Sequence, residues 1–139
     1  MTVNFKIETN SALTHEGKHI DIHNNFDFIG YDHNIADRQL KLFWTKSSGD
    51  WVSEDELPKL TLIHFNVSYL SIKYDNKKYE FPNDDKCLGE ISFFPSSKRE
   101  INNAHIPQDL PKDGDDIIYI FETEHFIRIG CEKIAIVVG

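Results

Sequence analysis

The sequence predicts an all-β fold, either a β-sandwich or a rolled, barrel-like antiparallel sheet of about nine or ten short strands. Ile, Val and Thr supply 28 of the 139 residues and Ala only four, and β-branched side chains fit a pleated surface better than a helix. Apolar and polar residues alternate along many short segments, and no window carries the apolar stripe of a helix. At this length we expect one domain, residues 1–139.

The first strands are predicted from alternation near the N-terminus. Residues 3–7 alternate between apolar and polar side chains, which predicts a strand. Residues 19–23 alternate without a break, and residues 24–25 offer a turn before the apolar segment 26–31, so the two segments predict a hairpin. Residues 38–44 place their apolar side chains on one face and predict a half-buried strand.

Further strands are predicted along the rest of the chain. Residues 59–74 predict two strands folded back at residues 66–67, and residues 87–94 predict another. The last strands are apolar almost throughout, which is typical of central strands covered on both faces. These are residues 117–123, 126–131 and 133–138.

One long segment, residues 95–116, breaks this rhythm. It carries three prolines and few apolar residues, and loops beyond about 12–15 residues are usually functional or disordered. We expect either an interaction element or a solvated crossover. The candidate binding residues are aromatic and acidic positions in or beside loops, where interface residues are common: Trp51, Phe94, Asp113, Asp115 and Asp116.

The formal charge of −8 restricts the classes of partner. Nucleic acids and anionic membranes attract clustered Lys and Arg, and the three arginines lie far apart in the sequence, so we expect neither partner. A basic protein partner fits the negative charge better, because surfaces of opposite charge attract each other and favour association. Half of the excess negative charge falls in residues 75–116, which hold ten acidic and six basic side chains.

The N-terminus has no basic region followed by an apolar run, and no apolar run approaches the ~20 residues of a membrane span. We therefore expect a cytoplasmic protein with Cys87 and Cys131 reduced. Glycine-rich nucleotide-binding loops and the serine-hydrolase motif are missing from the sequence. The sequence accordingly predicts no cofactor.

Residues 19–23, His-Ile-Asp-Ile-His, form the sharpest local pattern. On a strand, His19, Asp21 and His23 project from one face, and imidazole with carboxylate suits zinc or iron. The alternative is the polar face of an edge strand, where such residues are common. The pattern indicates a candidate metal site or a solvated strand edge.

Cysteine and calcium chemistry have weaker support. A cysteine nucleophile needs a nearby histidine, but Cys87 and Cys131 lie in the apolar alternation typical of buried thiols. His64, in phase with neighbouring leucines, is expected to be a hydrogen-bonded core histidine. The acidic runs at residues 84–85 and 113–116 do not fit the EF-hand loop and are more typical of turns.

Three stretches, residues 60–70, 81–91 and 121–132, carry a family resemblance. They include the runs Leu-Thr-Leu, Phe-Pro-Asn-Asp-Asp-Lys-Cys-Leu and Ile-Arg-Ile. In this order they resemble a family of small, uncharacterised bacterial all-β proteins over about residues 38–136. The chain departs from that family at Cys131, where we expect Ala. The resemblance implies a bacterial cytoplasmic β protein and transfers no activity.

Together these observations favour a non-catalytic protein-binding or interaction protein. One version is an immunity-type inhibitor, in which acidic loops cover a basic toxin surface. The alternative is a metal-dependent protein or small enzyme that uses the face formed by His19, Asp21 and His23.

Overall fold

A computed structural model describes residues 1–73 and 86–139, and in these ranges the chain is mostly β-strand. The strands form three sheets, none of which closes into a barrel within the described ranges. The all-β prediction is confirmed at this level. The described elements are β1 (Thr2–Val3), β2 (Lys6–Thr9), β3 (Ala12–His15), β4 (Lys18–Asp21), α1 (Ile22–Asn25), β5 (Phe26–Asn34), β6 (Gln39–Lys46), β7 (Lys59–Phe65), β8 (Tyr69–Lys73), β9 (Leu88–Pro95), a 3₁₀ turn (Ser96–Lys98), β10 (Asp115–Phe121), β11 (Phe126–Gly130) and β12 (Lys133–Val138).

The largest sheet has five strands in the order β1-β12-β7-β6-β5. Its pairs are antiparallel except for β1 and β12, which are parallel. Alternate residues of β6 are buried, which confirms the half-buried strand predicted at residues 38–44. On β12 the last two residues are exposed, so the prediction that this strand is covered on both faces is wrong.

The second sheet has four strands in the order β8-β11-β10-β9. β10 and β11 are its central strands, and nearly all of their residues are buried. The continuous apolar character of these segments is explained by that position, because both faces of the strands are covered. Here the prediction of doubly covered strands is confirmed.

The two larger sheets share one apolar core. The Trp44 ring of β6 lies 5.9 Å from the Tyr119 ring of β10, and the Phe28 ring of β5 lies 4.9 Å from that of Phe121. Aromatic pairs at such centroid distances add about 0.5–1.5 kcal/mol beyond the burial of their area. The rings therefore join the sheets directly.

His64 is a core histidine, as its phase with the leucines predicts. It is fully buried; its Nδ1 lies 3.0 Å from the Leu40 carbonyl oxygen and its Nε2 lies 2.8 Å from the Tyr119 hydroxyl oxygen. Burial lowers the pKa of His64 from 6.5 to about 4, because charge is disfavoured away from water. The ring is thus a neutral polar link between the sheets.

The third sheet, β2-β3-β4, changes the predicted connections near the N-terminus. β4 pairs with β3 and β5 pairs with β6, so the hairpin predicted across residues 24–25 is wrong. The helical turn α1 separates β4 from β5, and Asp21 caps it by accepting a hydrogen bond from the Asn24 backbone. Neither α1 nor any other helix among the described residues is long and apolar enough to cross a membrane.

Two predicted strands within residues 59–74 correspond to β7 and β8, but they do not pair with each other. β7 belongs to the five-stranded sheet and β8 to the four-stranded sheet. Asn66, between them, has a φ of +54°, a conformation that Asn tolerates better than most residues. The chain therefore crosses from one sheet to the other at this turn.

The long segment between β9 and β10 is a folded loop held by a buried cation. Arg128 of β11 is fully buried and its Nε donates to Asp116 Oδ2 at 2.8 Å. Its Nη2 donates to the Pro95 carbonyl at 2.9 Å, and its Nη1 donates to the Ile101 carbonyl at 2.8 Å. The guanidinium fork thus ties the loop backbone to the sheet beneath it.

A second arginine from the loop completes this ion cluster. Arg99 donates through Nε and Nη2 to the two oxygens of Asp116, each at 2.9 Å, and its guanidinium lies 3.7 Å from the centre of the Tyr69 ring. Asp116 is therefore shared between two cations. Such pairing is what a buried carboxylate requires.

Candidate functional site

An apolar groove of about 290 Å³ is lined in part by β5 and β8, which are edge strands of the two larger sheets among residues 1–73 and 86–139. We call it the β5 groove. β5 contributes residues 28–31, β8 contributes Ile72 and Lys73, and the end of β10 and start of β11 contribute Phe121 and residues 125–127. The groove is therefore built from sheet residues and one tight turn, which gives its walls a fixed shape.

A β-bulge shapes the β5 wall of this groove. The register between β5 and β6 shifts between Phe28 and Gly30, which leaves Ile29 as the extra residue. Gly30 has a φ of +136°, a conformation that other residues rarely adopt. Bulges redirect side chains, and here Ile29 is 61% exposed while Tyr31 is 45% exposed.

Phe28 joins the groove to the core. Its ring lies 5.2 Å from the ring of the buried Trp44 and 4.9 Å from the ring of Phe121. Because both neighbours are packed in the core, Phe28 has little freedom to move. The groove thus combines a rigid aromatic wall with two exposed apolar side chains.

Acidic residues are sequence neighbours of the β5 groove lining in the described part of the chain. Four acids directly precede or follow a lining residue, and two of them lie in the turn between β10 and β11. Lys73 is a lining cation, whereas Arg128, which follows Ile127, is buried against Asp116. The four acids are Asp27, Asp32, Glu122 and Glu124.

A second candidate site, the His–Cys–Glu cluster, lies where three elements meet. It consists of His23 in α1, Cys87 directly before β9 and Glu122 directly after β10. One ligand atom of each residue lies within 4.8 Å of the others. His23 and Cys87 are half-buried and Glu122 is exposed, so the cluster is open to solvent on the carboxylate side.

The imidazole occupies the centre of this cluster. His23 Nδ1 lies 3.3 Å from Cys87 Sγ, 3.5 Å from Glu122 Oε1 and 2.8 Å from the Leu88 carbonyl oxygen. All three contacts converge on one ring nitrogen. A cysteine–histidine–carboxylate triad needs the thiol and the carboxylate on different ring nitrogens, so this arrangement favours ligation over nucleophilic catalysis.

The structure separates the three residues of the predicted metal site. His19 pairs with Glu8, and the hydrogen bond from His19 lowers the pKa of Glu8. Asp21 caps α1 and also accepts a hydrogen bond from the Asn24 side chain. His23 lies on the helical turn rather than on a strand, because the chain leaves β4 at Asp21. Of the predicted set, His23 alone belongs to the His–Cys–Glu cluster.

The predicted binding residues fall into exposed and buried groups. Trp51 is 70% exposed and its indole nitrogen donates to the Asn24 carbonyl at 2.6 Å. Asp113 is exposed, and the half-buried Asp115 accepts a hydrogen bond from the Lys112 backbone at 2.8 Å. These three side chains do not line the β5 groove.

Phe94 and Asp116 are in the buried group. Phe94 is 5% exposed and packs with Ile118 and Phe126 in a small apolar cluster beneath the long loop. Asp116 is 1% exposed and is paired with the two arginines. Both residues hold the loop on the sheet. The predicted acidic run at residues 84–85 lies outside the described residues.

Cys131 does not belong to the His–Cys–Glu cluster. Burial raises the pKa of Cys131 to about 12, so its thiol stays protonated at neutral pH. The two cysteines form no disulfide.

Sequence patterns missed most of both sites. The groove residues of β5 look like an ordinary strand, since a bulge has no clear signature beyond a glycine within the apolar run. Cys87 and Glu122 lie 64 and 99 positions after His23, so local spacing carried no signal for the cluster. No family model, curated protein or solved structure matches the chain.

Proposed function

We propose that this chain is a non-catalytic protein-binding protein that uses the β5 groove to hold a basic partner. The observation that carries the proposal is the pair of exposed apolar residues, Ile29 and Tyr31, beside a concave apolar groove. An immunity-type inhibitor of a basic toxin is the specific version that we favour.

The size of the groove supports a protein partner. Pockets for small ligands usually span about 300–1,000 Å³ and bury most of the ligand, and this groove, at about 290 Å³, lies at the lower end of that range. It suits one or two anchoring side chains of a larger surface. Aromatic and aliphatic anchors in such pockets dominate the binding energy of many interfaces.

The charged residues next to the groove lining in sequence support a basic partner. Four acids directly precede or follow lining residues in the sequence, whereas the lining itself includes the cation Lys73. Complementary charge at the rim speeds association and rejects acidic partners. The partner that fits best presents an apolar side chain surrounded by Lys or Arg.

We further propose that the two larger sheets are the layers of a β-sandwich. Support comes from the ring contacts between Trp44 and Tyr119 and between Phe28 and Phe121, each of which joins one sheet to the other. In such a sandwich, the β5 groove lies at the margin where β5 and β8 are the outermost described strands of their layers.

Capture of partners from the native host tests the binding surface. The tagged wild-type chain should recover a basic protein at low salt, and Ile29→Asp should lose at least nine-tenths of it, because a carboxylate then replaces an apolar anchor. Val137→Asp is the matched control. Val137 is also exposed, but its strand, β12, lies three positions from β5 in the same sheet.

Both variants should unfold within about 0.5 kcal/mol of the wild type, as is usual for exposed positions. Equal capture by the wild type and Ile29→Asp would exclude the β5 groove as the binding surface. Equal loss in both variants would show that the loss is not specific to the β5 groove and would equally contradict its assignment. Failure to recover any basic protein would contradict the proposed function itself.

A further inference from the structure

We propose that His23, Cys87 and Glu122 bind a single zinc-class transition-metal ion. Three separate elements supply the ligands: the helical turn α1, the residue before β9 and the residue after β10. Metal sites in proteins commonly draw ligands from several elements in this way. The site shares Glu122 with the acids next to the β5 groove, but it does not rest on the proposed groove function.

The distances suit a tetrahedral ion. With Zn–S near 2.3 Å and Zn–N near 2.0–2.1 Å, the sulfur–nitrogen edge of a tetrahedron is about 3.5 Å and the nitrogen–oxygen edge is about 3.3 Å. Here His23 Nδ1 lies 3.3 Å from Cys87 Sγ and 3.5 Å from Glu122 Oε1. Two of the three edges between the ligand atoms therefore match a tetrahedral ion, and binding requires His23 to release its hydrogen bond to the Leu88 carbonyl.

The donor types select the class of metal. A thiolate and an imidazole favour Zn²⁺, Co²⁺ or Ni²⁺, whereas Mg²⁺ and Ca²⁺ prefer oxygen ligands alone. On binding, the Cys87 thiol loses its proton, and the His23 proton that Nδ1 donates to the Leu88 carbonyl in the metal-free protein is replaced by one on Nε2, so that the Nδ1 lone pair is free for the metal. Three protein ligands leave one tetrahedral position for water or an external ligand.

The backbone positions two of the ligands. The Leu88 carbonyl oxygen lies 2.8 Å from His23 Nδ1 and holds the ring over Cys87 when no metal is bound. At Gly89, an added Cβ would lie 3.2 Å from Glu122 Oε1 and 3.3 Å from the Ile120 carbonyl oxygen. Glycine at this position therefore lets the Glu122 carboxylate approach the cluster.

Cobalt titration of the chelator-treated, full-length protein tests the site. Co²⁺ should produce a thiolate-to-cobalt charge-transfer band that saturates at one equivalent, together with the strong visible bands of a four-coordinate ion. Zn²⁺ should abolish both signals by displacement. Cys87→Ser should remove the charge-transfer band, and Cys131→Ser, the matched control, should keep it.

The other ligands are tested by affinity. We expect His23→Gln and Glu122→Gln to weaken Co²⁺ binding at least tenfold, and Gly89→Ala to weaken it severalfold by displacing the carboxylate. Zn²⁺ should also raise the melting temperature of the wild type but not of His23→Gln, because ligand binding stabilises the folded state.

Three results would overturn the proposal. They are a band that survives in a folded Cys87→Ser protein, a band lost in Cys131→Ser, and the lack of any saturable band in the folded wild type. If Cys87→Ser does not fold, His23→Gln decides the outcome: unchanged Co²⁺ affinity in that variant equally contradicts the site.

Discussion

Neutral His64 connects the two larger sheets at a single residue. Its ring lies 3.0 Å from the Leu40 carbonyl oxygen on one side and 2.8 Å from the Tyr119 hydroxyl oxygen on the other, with no exposure to solvent. Burial lowers its pKa to about 4. In the unfolded chain the same ring has an ordinary pKa near 6.5.

This difference makes stability depend on pH. Between pH 6.5 and about 4 the unfolded chain binds a proton that the folded protein does not, so the free energy of unfolding falls as pH decreases. Full stability from this residue is present above pH 6.5, and about 3 kcal/mol is lost by pH 4. Below pH 4 the loss levels off.

Urea unfolding of wild type and His64→Gln at pH 7, 5.5 and 4 measures this contribution. Other titrating groups are shared by the two proteins, so the difference in their pH dependence isolates His64. We expect the wild type to lose about 3 kcal/mol more than the variant between pH 7 and pH 4. Parallel curves would show that His64 does not keep its lowered pKa.

At the scale of elements, the loop between β9 and β10 depends on Arg128. The side chain is fully buried and contacts Asp116, Pro95 and Ile101. Removing Arg128 leaves the buried Asp116 with Arg99 as its remaining cation and leaves the Pro95 and Ile101 carbonyl groups without this donor. The loop is thus a folded element whose shape is determined by a residue of β11.

Arg128→Met should cost about 3–5 kcal/mol of unfolding free energy. The matched variant, Arg99→Met, removes the other cation that pairs with Asp116. The Arg99 side chain is 37% exposed, so its loss should lower the free energy of unfolding by less. Limited proteolysis should cut residues 96–114 sooner in Arg128→Met than in Arg99→Met. Equal stability and equal cleavage of the two variants would contradict the anchoring role of Arg128.

At the scale of the whole molecule, the charge of −8 bears on how fast the proposed basic partner would associate. Electrostatic steering raises association rates by about 10–10³-fold and decreases with ionic strength, because the Debye length shrinks from about 30 Å at 0.01 M to about 3 Å at 1 M.

Binding kinetics of the captured partner should therefore separate charge from apolar contact. Raising salt should slow association at least tenfold with little change in dissociation, whereas Ile29→Asp should mainly speed dissociation. If salt leaves the association rate unchanged, the acidity of the chain has no role in recognition.

Much of the fold follows from the sequence, because burial acts on alternate residues of a strand. Leu40, Leu42 and Trp44 are buried as their phase predicts, and β10 and β11 are central as their apolar runs predict. Pairing was harder to predict. Asp21 caps a helical turn where alternation predicted a strand, and that turn leads the chain into another sheet, so the predicted hairpin failed.

The sites depend on tertiary geometry that local spacing does not encode. His19, Asp21 and His23 share a predicted strand face, yet the chain turns within this segment and separates them. Glu122 reaches His23 only because β9 and β10 pair, which brings the end of β10 beside Cys87. The alternating pattern of residues 19–23 therefore indicated His23 as a ligand but carried no signal that Cys87 and Glu122 join it.

The parallel pairing of β1 with β12 has a consequence for how quickly this protein folds. Thr2 is in register with Lys133, and the Asn4 side chain exchanges hydrogen bonds with the Ile136 backbone across 132 positions. Contacts of such long sequence separation require much chain entropy to be lost before they form. We therefore expect folding in milliseconds to seconds, as in other β proteins dominated by nonlocal pairing. During synthesis, β1 has no β12 to pair with until nearly all of these 139 residues have been made.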